Sequence, residues 1–566
     1  MSPRVYFIRP REPIGVAACC RLCYGRTAKA GARMFIDARQ LSESAVLETD
    51  LCIVGGGAAG ITIANALRDA RFRILLLESG GLEIEDATQA LYAGEMRGVP
   101  NENVEATRLR FFGGTTNHWA GWCRPLDDDD FSPAGEPSIR AWPIARADLD
   151  PFYEKAQSLV ELGPYAYDTL EPWLRECGLT APALDPRKLK TALFQISPPT
   201  RFGSAFHDAL KQAGNVTVML HANAIEIQAE PGGGRVTGVH GQCLGGPSFT
   251  VKARVVVLAA GGLENARLLL ASNSVQTVGL GNGHDAVGRY FMDHPWLTDA
   301  GFAAFSVPGE ALRFYWDQIA TRGTTIFGTF VPGAPEPGIG KFRVWMRPRH
   351  RIVEGVDALK KLGGAALLGH LPDDGFWHTL GLVLADYDAV ADSLYRTAFR
   401  TKTSPFAVAD DGNSPVVGAY LDANVEQFPD PASRIVLSDK RDALGQNRLA
   451  MDWRPGTAER RTIRRAIEHV ADEFGRLGLG RVRIRDVPEN GPWPDGMTGS
   501  RHHLGTTRMS ANPRTGVVDA TCRVHGIANL YAAGSSVFAS SGYANPTLTI
   551  VALALRLADE LRRQIV

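Results

Sequence analysis

The chain has 566 residues, more than one ordinary hydrophobic core accommodates, so two or three domains, or one large domain with an inserted lobe, are expected. Hydrophobic residues make up 45% and charged residues 22%, and 61 Lys and Arg balance 61 Asp and Glu at a net charge of +0, a globular composition with no electrostatic footprint for nucleic acid or an anionic membrane. No run of about 18 consecutive apolar residues occurs, so no transmembrane helix is expected.

Residues 1–33 hold six arginines, one lysine and one acid, Glu12. Their apolar run IGVAACC is short for a secretory h-region, and no adjacent arginine pair opens it. Met34 begins MFIDARQLSESAVLETD, which reads as a protein start. Residues 1–33 are therefore expected to be a disordered extension, the segment outside the folded domains is drawn at 1–45, and the expected compartment is cytoplasmic. Cys19, Cys20 and Cys23 form CCRLC, but no second ligand pair lies nearby, so no metal or iron–sulfur site is expected there. Cys52, Cys123, Cys177, Cys243 and Cys522 stand alone, which is no disulfide framework.

The strongest local signal is DLCIVGGGAAGITIANAL, Asp50 to Leu67. An apolar strand over 51–54 leads into Gly55, Gly57 and Gly60, and Ile61, Ala64 and Leu67 follow at helical spacing. A second apolar strand, in RFRILLLESGG, ends at Glu78. Gly55 permits the tight turn, Gly57 lets backbone approach a pyrophosphate beside Ala58 and Ala59, and Gly60 lets helix and strand pack closely. Glu78 can accept hydrogen bonds from a ribose diol. Strand, glycine triplet, helix, strand and acid in this order indicate a dinucleotide site; the motif alone does not separate NAD from FAD.

LRFFGGTTNHWAGWC, Leu109 to Cys123, mixes a glycine pair, threonines, Asn, His and two tryptophans, a set that suits contact with a cofactor better than a plain core. PLDDDDF (125–131) is an acidic loop without other ligands nearby and is expected to be solvated, not a metal site. NVTVMLHANAIEI (215–227) reads as two β segments, and ARVVVLAAGGLENARLLLAS (253–272) as a buried strand, a glycine turn and a helix. SRIVLSDKRDALGQNRLAMDW (433–453) alternates apolar and polar residues as a sheet hairpin does, and residues 456–478 form an amphipathic helix with Ile463, Ile467, Val470 and Phe474 on one stripe. SRHHLGTTRM contains His502 and His503, which point to opposite faces if the segment is extended. NLYAAGSSVF (529–538) is a further strand and turn, and Pro546 opens the helix PTLTIVALALRLADELRR.

Taken together, VGGGAAG with Glu78, GGTTNHW, LAAGGLENARLLL, VGRYFMDHP, HHLGTTRM and the stretch from NLYAAGSSVF to the end resemble the glucose–methanol–choline (GMC) family of FAD-dependent oxidoreductases over roughly Glu48 to the C-terminus. The bracing aromatics bring the sugar- and glycoside-oxidising, pyranose-oxidase-like branches nearest. The resemblance implies an α/β fold, α+β overall: a Rossmann-like FAD-binding domain assembled from 46–150, 205–300 and 500–566, and a substrate lobe, 151–204 and 301–499, with a large antiparallel sheet and helices.

The family's cofactor implies FAD-contacting roles for Gly55, Gly57, Ala58, Ala59, Gly60, Glu78, Ser79, Gly113, Gly114, Thr115, Asn117, His118, Trp119, Ala224, Ala260, Gly261, Gly534, Ser535, Asn545, Pro546 and Thr547. His118 falls at the spacing of the histidine that some members bond to the flavin 8α carbon; it is either such a link or a neutral residue packed by Trp119. His502 is implied as the base that takes the hydroxyl proton while hydride leaves for flavin N5, and Asn545 as the group that holds the substrate oxygen. His294 and His525 are expected to be structural. The implied activity is oxidation of CH–OH to carbonyl on a sugar, glycoside or aminosugar; an aryl or alkyl alcohol is the alternative within the family. A lyase with structural FAD and a non-catalytic flavin protein are the readings from other classes. The acceptor is oxygen or a quinone-like molecule, and no metal or iron–sulfur cluster is expected.

Overall fold

A computed structural model describes residues 34–565 apart from 100, 102, 133–138, 351–354, 369–374, 388–389, 392 and 396–415. The expectations for the extension 1–33, CCRLC included, lie outside the described residues. The short apolar runs Leu51–Val54, Ile74–Leu77 and Val255–Leu258 are buried almost completely, as parallel strands covered on both faces require. They are the centre of an eight-stranded sheet ordered 35–37, 216–220, 74–77, 45–54, 248–258, 236–242, 223–229, with 530–532 also on 248–258. The strand 248–258 lends its first half to the antiparallel pair with 236–242 and its second half to the parallel pair with 530–532. Helix Ala58–Ala66 follows the first glycine turn, and helix Thr547–Gln564 packs on it and on helix Asp150–Leu159.

The second layer is a nine-stranded antiparallel sheet ordered 480–484, 295–305, 416–425, 342–350, 325–332, 189–196, 122–123, with 319–320 and 497–499 paired at its margins. Helix Thr457–Arg476 covers it, burying Ile463, Ile467, Val470 and Phe474 in one stripe. This is the mixed α/β fold expected, a parallel dinucleotide-type sheet beside a large antiparallel one.

Five boundaries differ from expectation. Phe35–Asp37, placed in the extension 1–45, is an edge strand parallel to 216–220, and Phe35 packs edge-on against Phe112. Helix Asp150–Leu159, expected in the substrate lobe, buries Tyr153 and Ala156 in the core of the parallel sheet. Strand Pro295–Phe305 begins inside the segment assigned to the FAD domain but belongs to the antiparallel sheet. The hairpin 434–453 is not in that sheet; it pairs with Glu95–Gly98 as a third, three-stranded sheet over Leu263, Phe291 and Trp453. Its alternation defines a strand pair, not which sheet receives it. Finally, the acidic segment is not a solvated loop: Asp128–Phe131 is one helical turn, Asp130 is buried, and Lys341 reaches its Oδ1 at 2.7 Å. Among the described residues no helix is long and apolar enough to cross a membrane, and Cys52, Cys123, Cys177, Cys243 and Cys522 are free thiols.

Candidate active site

The C-terminal ends of the parallel strands open into a cavity of about 880 Å³. In open α/β sheets this is where ligands bind. Gly55 has φ +113°, and a Cβ there would stand 2.6 Å from the Ala259 carbonyl oxygen, so only glycine makes this turn. Gly60 does not line the cavity; a Cβ there would stand 1.9 Å from the Gly55 carbonyl oxygen, so its absence lets helix 58–66 seat against the turn. Gly57 and Gly261 would meet nothing within 4 Å if given a Cβ, and Gly534 only Ala59 at 3.8 Å, so three glycines leave open space on one wall. Ala58, Ala59, Ser79, Ala224, Ala260, Ser535, Pro546 and Thr547 complete that wall. Two helix N-termini, at Ala58 and Thr547, meet the cavity, which favours anionic and polar ligand groups there. Glu78 also lines it. Its Oε2 accepts from the Gly56 N–H (2.9 Å) and its Oε1 from the Gly80 N–H (2.8 Å), while burial pushes its pKa up.

The stretch 109–123 folds over the mouth as one 3-10 turn, Gly114–Asn117. Gly114, Thr115, His118 and Trp119 line the cavity, whereas Gly113 and Asn117 do not. The Asn117 amide donates back to the carbonyls of Phe112 (3.1 Å) and Gly114 (3.0 Å), so it braces the turn rather than offering itself to a ligand. Gly113, with φ +96°, faces Gly203 and the Asn117 side chain. The Trp119 indole donates to the Thr200 carbonyl (2.9 Å) and is pinned there. His118 is exposed to the cavity, and its ring makes no hydrogen bond to a described residue.

At the other end His502 and Asn545 meet. The Asn545 Nδ2 lies 3.2 Å from His502 Nε2, and Arg343 Nη1 donates to Asn545 Oδ1 in a short contact, which fixes the amide with its NH₂ toward the histidine. His502 Nδ1 lies 2.8 Å from His294 Nδ1. His294 Nε2 faces two carbonyls, Ser541 (3.1 Å) and Gly542 (3.0 Å). Carbonyls only accept, so His294 carries its proton on Nε2 and its Nδ1 accepts. His502 must then donate from Nδ1, which leaves its Nε2 unprotonated at the cavity wall, where it accepts from the Asn545 amide. Burial, then the neighbouring His294 and Arg343, hold the His502 pKa well below the ordinary histidine range, and burial brings His294 down to about 3, so both rings are neutral. Asp293 Oδ1 accepts from the backbone N–H groups of His294, Ser500 and His502 at 2.7, 3.0 and 2.9 Å and so holds the segment in place. His294, expected to be structural, therefore sits directly on the candidate base. His503 also lines the cavity but turns toward Phe291, 6.0 Å between rings. His525 lies away from it, its Nε2 2.9 Å from the Ser510 carbonyl oxygen. The donor atoms of Asp293, His294 and His502 lie within 4.8 Å of one another, the one such grouping among the described residues, and the hydrogen bonds above already account for its arrangement.

Residues 429–554 match the GMC oxidoreductase family and residues 50–282 the FAD dependent oxidoreductase family. The chain is 24% identical to the fructose dehydrogenase large subunit of Gluconobacter japonicus, covering 91% of this chain and 98% of that one. It is 24% identical to paromamine 6'-oxidase of Streptomyces fradiae, covering 91% and 92%. The chain thus carries a GMC oxidoreductase C-terminal domain together with an FAD-dependent oxidoreductase domain. It is an FAD-dependent enzyme of the class that oxidises CH–OH groups. Its fold is shared with pyridoxine 4-oxidase from Mesorbium loti, at a TM-score of 0.54 and 18% identity over 91% of this chain and 99% of that one.

The site also carries residues that sequence reasoning missed. Arg108, Arg110 and Arg267 surround Glu264 on the cavity wall, at 2.9, 3.8 and 2.7 Å. Burial opposes ionisation of Glu264, yet Arg267, Arg108 and Arg110 hold its carboxyl down at about 2. Three guanidinium groups face one carboxylate, and Arg110 Nε and Arg267 Nη1 are buried without a partner, as a wall that receives a diphosphate should be. The glycine cradle, the helix N-termini and this cationic excess together fit FAD. The alternation TRLR just before the glycine pair was the available signal for Arg108 and Arg110.

Proposed function

We propose that this enzyme oxidises a CH–OH group of a sugar, glycoside or aminosugar, with His502 accepting the hydroxyl proton at Nε2 and Asn545 holding the same oxygen. FAD, when bound, supplies the hydride acceptor. The observation that carries the reading is the chain from the Ser541 and Gly542 carbonyls through His294 to His502, because it leaves His502 Nε2 unprotonated beside an amide donor. His294 is a positioning residue: it sets which nitrogen of His502 is the base. Asn545, held by Arg343, orients oxygen without adding charge that would trap the product. Trp122, Trp296 and Trp345 line the far wall, with Trp345 5.7 Å from Trp296 and 6.1 Å from Trp122 between ring centroids, and such faces suit the C–H surfaces of a sugar ring. The relatives named for fructose and for paromamine support this class.

The test is anaerobic mixing of the FAD-loaded enzyme with sugars, glycosides and aryl alcohols. Bleaching of the yellow flavin by sugars ahead of aryl alcohols supports the reading, and recovery in air or with a quinone identifies the acceptor. Bound FAD that no alcohol bleaches would point instead to acid–base chemistry with a structural flavin. The free ring of His118 at the cavity edge supports a covalent link to FAD. Acid precipitation of wild type is expected to leave flavin on the polypeptide, and His118→Ala to release it; complete release from wild type would leave His118 as a packing residue.

A further inference from the structure

In strand Phe342–His350 the residues Arg343, Trp345 and Arg347 alternate onto one face and all line the cavity. Arg347 is matched by Asp422 and Asp299. Arg343 is not matched. It is 5% exposed, it makes no ion pair among the described residues, and its Nε is buried without a partner. The rings of Trp122, Phe194 and Trp345 stand 5.5, 5.2 and 5.5 Å from its guanidinium carbon. Burial pulls its pKa down to about 9, which leaves it charged at neutral pH. A second donor on the same wall, the Trp296 Nε1–H, is also buried without a partner. A buried cation that lacks a counter-charge is costly, and both orphaned donors line the cavity, whereas the unpartnered acceptor opposite them in register, Asn424 Oδ1, does not, so the group missing on the cavity side is an acceptor.

We infer that Arg343, with Trp296, is the recognition site for a carboxylate on the substrate, so that the alcohol oxidised is a hydroxy acid such as a sugar acid. The inference rests on the alcohol oxidation proposed above and narrows its substrate class. Arg343 touches Asn545, and Asn545 touches His502, so the carboxylate and the reacting hydroxyl sit one amide width apart, on the same or neighbouring carbons. A planar guanidinium takes a carboxylate through two parallel N–H donors. One uncompensated positive charge matches one carboxylate; a doubly charged phosphate would bring an unmatched negative charge into an aromatic wall whose other guanidinium, Arg347, is already paired.

The experiment uses FAD-loaded enzyme and matched pairs: gluconate with glucose, galacturonate with galactose, lactate with 1,2-propanediol. The ratio of kcat/KM for anaerobic flavin reduction, acid over neutral, is expected to favour the acid roughly 10–100-fold, the worth of a charge-assisted contact. Arg343→Met should reduce that ratio by the same factor, and Arg343→Lys by less; the ratio cancels any shared loss from displacing Asn545. Quenching of tryptophan fluorescence by propionate but not propionamide in wild type gives a reading independent of turnover and of any variant's folding. A ratio at or below one that Arg343→Met leaves unchanged, or equal binding of propionate and propionamide, overturns the inference while leaving sugar oxidation intact. Arg343-dependent binding of propionate with no bleaching by any member of any pair would uphold the carboxylate site and overturn the alcohol oxidation instead.

Discussion

The two walls of one cavity are built on opposite principles. The cradle at the mouth of the parallel sheet is made of backbone: glycines, helix N-termini and strand ends, supplied by short segments around Gly55–Ala59, Glu78, Ala224, Ala260, Gly534 and Thr547. The facing wall is made of side chains from antiparallel strands and turns far apart in sequence, with Arg343, Trp345 and Trp296 brought level by register. Backbone serves to hold a cofactor whose shape is constant. Side chains serve a substrate that differs between relatives. The first wall should fail through sterics and the second through chemistry.

The largest expected effect is on the cradle. Gly60→Val places methyls into the Gly55 turn, where even a Cβ stands 1.9 Å from a carbonyl oxygen, and should remove FAD altogether, with more than about 4 kcal/mol lost from the fold. Flavin content by absorbance and the melting temperature report it; a yellow, stable Gly60→Val enzyme would break the comparison. Behind the facing wall, His294→Leu removes the acceptor for His502 Nδ1–H and should slow flavin reduction roughly 10–100-fold, a fraction of what a positioned base contributes, with FAD still bound. His294→Gln, whose amide oxygen can accept the same proton, should restore part of that loss; equal rates for the two variants would make His294 a packing residue.

A further effect, read across pH rather than in flavin reduction, is on stability in acid. Burial holds His294 and His503 at about 3 in the fold against 6.5 for an ordinary histidine. Between those values the unfolded chain binds more protons, so stability rises with pH up to about 6.5 and falls as pH is lowered toward 3. A thermal melt series across that window should show the decline, shallower in His503→Phe.

What could be read from the chain follows the same division. That Gly55, Gly57, Glu78, His502 and Asn545 meet at one cavity, with Gly60 packed behind its turn, is legible because each belongs to a local motif. The family resemblance assigns Asn117 and Gly113 to the cofactor, but a motif names neighbours and not the side they face; the Asn117 amide turns inward to its own loop. His294 in FMDHP and Arg343 in KFRVW have no local partner. Their meaning arises only when residues 208 and 202 positions away are brought against them. The hairpin 434–453 shows the same limit at the level of sheets, since alternation says that one face is buried and not against what.

The central claim is that His502, not its neighbour His503, is the base. Stopped-flow anaerobic flavin reduction with one good substrate tests it in His502→Ala, His503→Ala and Asn545→Ala at matched FAD content. His502→Ala should fall by roughly 10²–10⁴, Asn545→Ala by less, and His503→Ala least. A near-normal His502→Ala beside an inactive His503→Ala would contradict the account and move the base by one residue.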